Sequence, residues 1–188
     1  HKVMNLAKTA SKLGIELFVL DDGWFGKRDT DQSSLGDWFE NRHKLHNGLN
    51  GLAKSINKLG MMFGLWFEPE MVNQKSDLYE AHPDWAIKAP NRTPSEGRNQ
   101  YVLDLCKKEV REYIIKVVSD VLNSANIEYV KWDMNRHISE MYSSAISVQG
   151  EFFHRYILGL YEILNAITSS FPKILFESCA SGGNRFDL

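Results

Sequence analysis

Four short apolar runs in this chain each stop at a cluster of polar, chemically capable residues. Residues 15–20 stop at Asp21-Asp22-Gly23, and residues 61–67 at Glu68-Pro69-Glu70. Residues 128–132 stop at Asp133, and residues 174–176 at Glu177-Ser178-Cys179. Runs of this length, bounded by turn residues, predict buried strands of a parallel sheet. Between them, apolar residues at helical spacing predict helices over 2–13, 49–59, 107–123 and 148–170. Gly14 and Gly60 stand where the first two should end. A long loop dense in Gly, Asp, Asn and Ser covers 23–48. Residues 71–99 read as irregular, and 101–105 as a short extended piece.

Helix and strand recurring at roughly 30–45-residue intervals are βα units around a parallel sheet, so the fold class is α/β. Two architectures offer that pattern. An open doubly wound sheet of the dinucleotide-binding kind would carry Gly-x-Gly-x-x-Gly after its first strand, and that motif is absent. A (βα)8 TIM barrel builds its active site from the C-terminal ends of its strands, where the polar clusters fall. The pattern favours the barrel.

Composition removes several function classes. The 22 Lys and Arg against 24 Asp and Glu leave a charge of −2, with no long basic run, which argues against nucleic acid as a partner. No apolar run approaches the ~18–20 residues that span a bilayer, so no membrane partner is expected. Cys106 and Cys179 are too few and too far apart for a disulfide framework or a zinc site; they suggest a reducing, cytoplasmic compartment. His43, His46 and His82 fall on loops without metal-ligand spacing, and no metal is expected. Five tryptophans suit a sugar or another flat ligand, and suit a core equally well.

Residues 131–136, Lys-Trp-Asp-Met-Asn-Arg, are the most informative segment. Side chains alternate along a strand, so Lys131, Asp133 and Asn135 share one face and Trp132 and Met134 the other. A cation, a carboxylate and an amide thus meet at one strand end. The Lys131 charge is expected to keep Asp133 ionised, as a carboxylate nucleophile requires; a structural Lys–Asp pair reads equally well. Asp21 and Asp22 could accept from sugar hydroxyls or cap a loop. Trp66 could be a stacking wall or core. Glu68, Glu70 and Arg98 could contact ligand or pair with opposite charges. Cys179 lacks a histidine placed to activate it. Gly182 and Gly183 would let backbone approach a ligand closely, although the Walker pattern is absent.

Taken together these segments resemble glycoside hydrolase family 36, the microbial α-galactosidases. The resemblance rests on 20–26, Leu-Asp-Asp-Gly-Trp-Phe-Gly, 64–71, Gly-Leu-Trp-Phe-Glu-Pro-Glu-Met, and 82–85, His-Pro-Asp-Trp. It rests further on 101–105, Tyr-Val-Leu-Asp-Leu, on 131–136, and on 177–183, Glu-Ser-Cys-Ala-Ser-Gly-Gly, all in family order. It implies hydrolysis of terminal α-galactosides such as melibiose or raffinose with retention, Asp133 being the nucleophile. It places Asp21 and Asp22 on galactose hydroxyls, Trp66 at the sugar pocket, and Arg98, Lys131, Asn135, Cys179 and Gly182 around it. It implies no cofactor, and a homo-oligomer for the full-length protein.

A retaining glycosidase also needs a second carboxyl about 5–5.5 Å from the first as general acid/base. Nothing after Cys179 matches that part of the family pattern; Asp187 lies only a few residues past the fourth strand. The resemblance therefore implies a partial barrel. Residues 1–188 would be about strands two to five of one (βα)8 catalytic domain, without its flanking β domains and without the general acid/base. A raffinose-synthase-like transferase and a non-catalytic galactoside-binding remnant are the alternatives.

Overall fold

The computed structural model describes residues 2–180. Helix α1 (Lys2–Lys12) turns Ala7 inward and closes at Gly14, whose φ of +80° is the left-handed value that favours glycine at a helix end. The chain continues through β1 (Leu17–Leu20), α2 (Gly48–Asn57), β2 (Met62–Phe67), β3 (Met71–Val72), α3 (Asp77–Ala81) and β4 (Tyr101–Val102). Helix α4 (Lys108–Ser124), β5 (Tyr129–Trp132), α5 (Phe152–Ser170) and β6 (Leu175–Ser178) complete it.

The four longer strands form one parallel sheet in the order β1-β2-β5-β6, so each strand pairs with its neighbours in chain order and the order never reverses. A helix lies in every crossover: α2 between β1 and β2, α4 before β5, and α5 before β6. The class is α/β, as expected. Strands β2 and β5 occupy the middle and bury Phe63, Leu65, Phe67, Val130 and Trp132. Helix α4 presents Val110, Ile114, Val118 and Val121, and α5 presents Phe152, Tyr156, Ile163 and Ile167, each at helical spacing. Gly159 of α5 sits against the Leu105 carbonyl, where an added Cβ would fall 2.3 Å from the oxygen.

Two expectations need correction. The first and fourth runs are parallel strands, but they are only half-buried because they are the two edges of this sheet, each with a neighbour on one side. Residues 71–99 are not simply irregular. They hold β3, α3 and a 3-10 turn at Pro83–Trp85, with β3 pairing antiparallel to β4. Ser76 caps α3 by accepting from the Tyr79 N–H, which starts a helix too short to show periodicity. The 23–48 loop is well packed: Trp24, Phe25 and Trp38 are buried and the Trp38 and Phe25 ring centroids lie 4.4 Å apart. All five tryptophans are buried, so the aromatic richness is mostly core. No helix among the described residues is long and apolar enough to cross a membrane.

Candidate active site

The C-terminal ends of the sheet strands converge on one cavity of about 220 Å³, lined by Asp21, Asp22, Arg28, Asp31, Trp66, Glu68, Arg98, Gln100, Asp133 and Asn135. Parallel pairing explains the convergence. Trp66 is in register with Lys131, and Lys131 with Glu177, so these side chains point the same way from adjacent strands. Asp21 stands one step beyond the last pair, Leu20 with Leu65, and so beside Trp66. The pairing runs on past β5: Asp133 N–H donates to the Phe67 carbonyl at 2.8 Å, and Cys179 N–H to the Trp132 carbonyl at 2.8 Å. Asp133 is thereby held at a fixed height above the sheet.

Asp133 is almost fully buried and its carboxylate is pinned from several sides. Oδ2 accepts from the Trp66 indole N–H at 3.0 Å and from Asn135 Nδ2 at 2.7 Å, while Oδ1 accepts from the Met134 N–H at 2.8 Å. Burial alone would raise its pKa. Hydrogen bonds from Trp66, Asn135, Cys179 and Met134 outweigh it and hold the carboxyl below its ordinary value. The charges of Lys131 and Asp133 interact, but the lysine is hydrogen-bonded elsewhere. Its ammonium donates to Asp21 Oδ2 at 3.0 Å, and Asp21, not Asp133, is the main cause of its own raised pKa. The two positions share a face as alternation requires, but Asp21 reaches the lysine from the neighbouring side of Trp66.

Asp22 is gripped by Arg28, which no spacing rule singles out. Arg28 is buried and donates through Nε to Asp22 Oδ1 at 2.9 Å and through Nη2 to Oδ2 at 2.8 Å, a bidentate fork. Its Nη1 is held by the Ser33 carbonyl and by Asn73 Oδ1. Arg98 also lines the cavity, from a turn in which both Arg98 and Asn99 have positive φ, 53° and 60°.

Glu68, which the sequence leaves open between a ligand contact and a partner for a basic residue, lines the cavity. It is 1% exposed, and burial, opposed by its hydrogen bonds to Asn135 and reinforced by the charge of Asp133, pushes its carboxyl up to about 7. Oε1 accepts from the Asn135 N–H, and Oε2 lies 3.3 Å from Gln100 Nε2. Gln100 Oε1 is buried with no hydrogen-bond partner.

Of the expected residues, Asp21, Asp22, Trp66, Arg98, Asp133 and Asn135 line the cavity, while Lys131 and Cys179 join it through Asp21 and Asp133. Trp66 is 3% exposed and acts mainly as core and as a donor to Asp133 rather than as an open wall. Gly182 and Asp187 lie outside the described residues. Among the described residues no three His, Cys, Asp or Glu side chains group to hold a metal ion.

The family model for melibiase matches residues 1–188. Alpha-galactosidase AgaA of Geobacillus stearothermophilus is 62% identical over all of this chain, which covers 26% of that protein. Alpha-galactosidase 1 of Pediococcus pentosaceus is 51% identical over 99% of the chain and 26% of its own length. A crystal structure of a variant of the Geobacillus stearothermophilus protein, assigned to glycoside hydrolase family 36 and holding raffinose, superposes with a TM-score of 0.94 at 61% identity. It is matched over 99% of this chain and 26% of its own. The chain thus spans about a quarter of the length of these relatives.

Proposed function

The chain belongs to the melibiase family, and from that premise we propose that it is the nucleophile-bearing part of a retaining α-galactosidase. Four parallel strands in unbroken chain order, with a helix in each crossover, support an arc of a (βα)8 barrel, since a doubly wound sheet reverses its order at a switch point. A cavity of about 220 Å³ is below the ~300–1,000 Å³ of drug-sized sites and suits one sugar ring. Its lining is charged, as hydroxyl recognition requires. The substrates proposed are terminal α-galactosides such as melibiose and raffinose, the latter being the sugar held by the AgaA variant.

The observation that carries this reading is the Asp133 carboxylate, held ionised and aimed by Trp66, Asn135 and Met134 at the head of the cavity. In the proposed double displacement Asp133 attacks the anomeric carbon while the aglycone leaves, and water then opens the β-linked glycosyl-enzyme with net retention. Asp21, Asp22, Arg98, Lys131, Asn135, Cys179 and Gly182 bind and orient the galactosyl ring. Arg28 and Trp66 hold their partners in place.

The general acid must sit within reach of the leaving oxygen. Asp21 and Asp22 are engaged by Lys131 and Arg28, with both oxygens of Asp22 taken by the Arg28 fork, and both are assigned to the sugar hydroxyls rather than to the leaving group. Glu68 has a suitable pKa, but it is almost wholly buried with both oxygens hydrogen-bonded, so it lacks access to a leaving group. We therefore place the acid in the remainder of the full-length protein. The test is proton NMR of melibiose or an aryl α-galactoside during turnover by that protein. The α-anomer of galactose should appear first. First appearance of the β-anomer, or no turnover, would overturn the reading.

A further inference from the structure

Asn73 follows β3, is completely buried, and takes no part in the chemistry just proposed. Its side chain nonetheless fills all four of its hydrogen-bonding positions. Oδ1 accepts from the Leu35 N–H at 2.7 Å and from Arg28 Nη1 at 3.1 Å. Nδ2 donates to the Asn99 carbonyl at 2.6 Å and to the Asp31 carbonyl at 3.3 Å. Two donors face one end of the amide and two carbonyls the other, so only one orientation fits. The backbone is tied as well: its N–H donates to the Leu35 carbonyl at 3.1 Å and its carbonyl accepts from Ser76 Oγ at 2.8 Å.

These partners belong to the two loops that present opposite charges to the cavity. On one side stands Arg28, whose fork fixes both oxygens of Asp22. On the other stands the turn carrying Arg98. Gly97 and Gln100 exchange backbone hydrogen bonds of 3.1 and 2.9 Å across it, and the two residues between them are both left-handed. A two-residue turn of this kind favours Asn-Gly, and an arginine at positive φ is uncommon. Such a conformation persists when its surroundings over-determine it. The 2.6 Å bond from Asn73 to the Asn99 carbonyl is one such restraint.

We propose that Asn73 is a positioning residue that joins Asp22 and Arg98 into one galactose-binding unit, acting through Arg28 on one side and the 98–99 turn on the other. This rests on the α-galactosidase reading above. Carboxylate and guanidinium are then presented to the same ring at a fixed separation, which selects the hydroxyl pattern of a galactoside.

The experiment is a set of double-mutant cycles in the full-length protein, read as kcat/KM for p-nitrophenyl α-galactoside, with the melting transition followed in parallel. Asn73→Ser should lower kcat/KM by roughly 10–100-fold, the scale of displacing binding groups by about 1 Å. Asn73→Asp keeps the acceptors for Arg28 and Leu35 but turns a carboxylate oxygen toward the Asn99 carbonyl and the more distant Asp31 carbonyl, so it should break the Arg98 side while sparing the Arg28 contact that supports Asp22. Its loss should shrink to roughly threefold or less in an Arg98→Gln background, and persist within about a factor of two in an Asp22→Asn background. Equal losses in both backgrounds would overturn the proposal, because a purely structural asparagine does not distinguish them. So would loss of cooperative melting in both Asn73 variants. Absence of turnover by the unsubstituted protein would overturn the α-galactosidase reading, and this inference with it; turnover with additive losses overturns the inference alone.

Discussion

Lys131 donates to Asp21 Oδ2 at 3.0 Å, across Trp66, and leaves the hydrogen bonding of Asp133 to Trp66, Asn135, Cys179 and the Met134 N–H. The cation at this strand end therefore serves the carboxylate proposed to bind sugar hydroxyls, and neutral donors serve the proposed nucleophile. Asp133 is held below its ordinary pKa, so it is ionised above that lowered value and loses its charge as pH falls through it. Trp66→Phe removes one donor. In the full-length protein the acid limb of the kcat/KM–pH profile should move to higher pH, and Lys131→Met should move it less. Hydrogen bonds to charged groups contribute about 1.5–3 kcal/mol, so Trp66→Phe should also cost about 10–100-fold in kcat/KM. A larger limb shift in Lys131→Met would restore lysine as the controlling charge.

Glu68 makes a prediction about stability. Its folded pKa of about 7 lies above its ordinary value of 4.5, so between these two the folded protein holds a proton that the unfolded chain has released. The contribution of this group therefore falls as pH rises from about 4.5 to 7 and stays low above that, by up to about 3 kcal/mol. Glu68→Gln keeps the size and an acceptor for the Asn135 N–H, and its new amide can donate to Gln100 Oε1 once that side chain turns over. Thermal melts at pH 5 and pH 8 should show the variant gaining on the parent at the higher pH. A constant difference between the two would place the Glu68 pKa outside this range.

Asp22→Asn should weaken both catalysis and folding. The asparagine leaves Arg28, which is almost fully buried, without its anionic partner. Breaking a buried pair costs about 3–5 kcal/mol, and the partial exposure of Asp22 reduces this to about 1–3 kcal/mol. The denaturation midpoint and kcat/KM should therefore fall together. A variant with unchanged stability would mean that Arg28 is held well enough by Ser33 and Asn73 alone.

Gly159→Ala sets two effects against each other. Helix propensity favours alanine by about 1 kcal/mol. Against this, the new methyl would lie 2.3 Å from the Leu105 carbonyl oxygen and 3.1 Å from Arg111 Cδ. Backbone cannot yield as a flexible side chain can, and overpacking costs about 1–3 kcal/mol. Net destabilisation in a denaturant titration is expected; a stabilised variant would show that α5 slides freely over the Leu105 carbonyl.

The βα repeat and the polar strand ends were legible because period and boundary are local properties, and parallel pairing then brought Asp21, Trp66, Lys131 and Asp133 together. The partnerships were not. Whether Lys131 faces Asp21 or Asp133 depends on the register between strands 110 residues apart in the chain. Arg28 and Asn73 stand in stretches with no periodicity, and only the packing of three loops makes them neighbours. Glu68 could be read as a strand-end carboxylate, but its burial, and hence its proton, is a property of the assembled cavity.

The central claim, that Asp133 is the nucleophile, is tested most directly by the anomeric configuration of an azide adduct. In the full-length protein Asp133→Gly should abolish hydrolysis and open a small space on the β face of the bound sugar. Given an activated aryl α-galactoside, azide should enter that space, displace the aglycone in a single inversion, and yield β-galactosyl azide, identified by NMR. Formation of α-galactosyl azide would contradict the claim and make Asp133 the acid/base, since azide would then be opening an intact β-linked intermediate. Retained hydrolysis without any azide adduct would reduce Asp133 to a structural partner of Trp66 and Asn135.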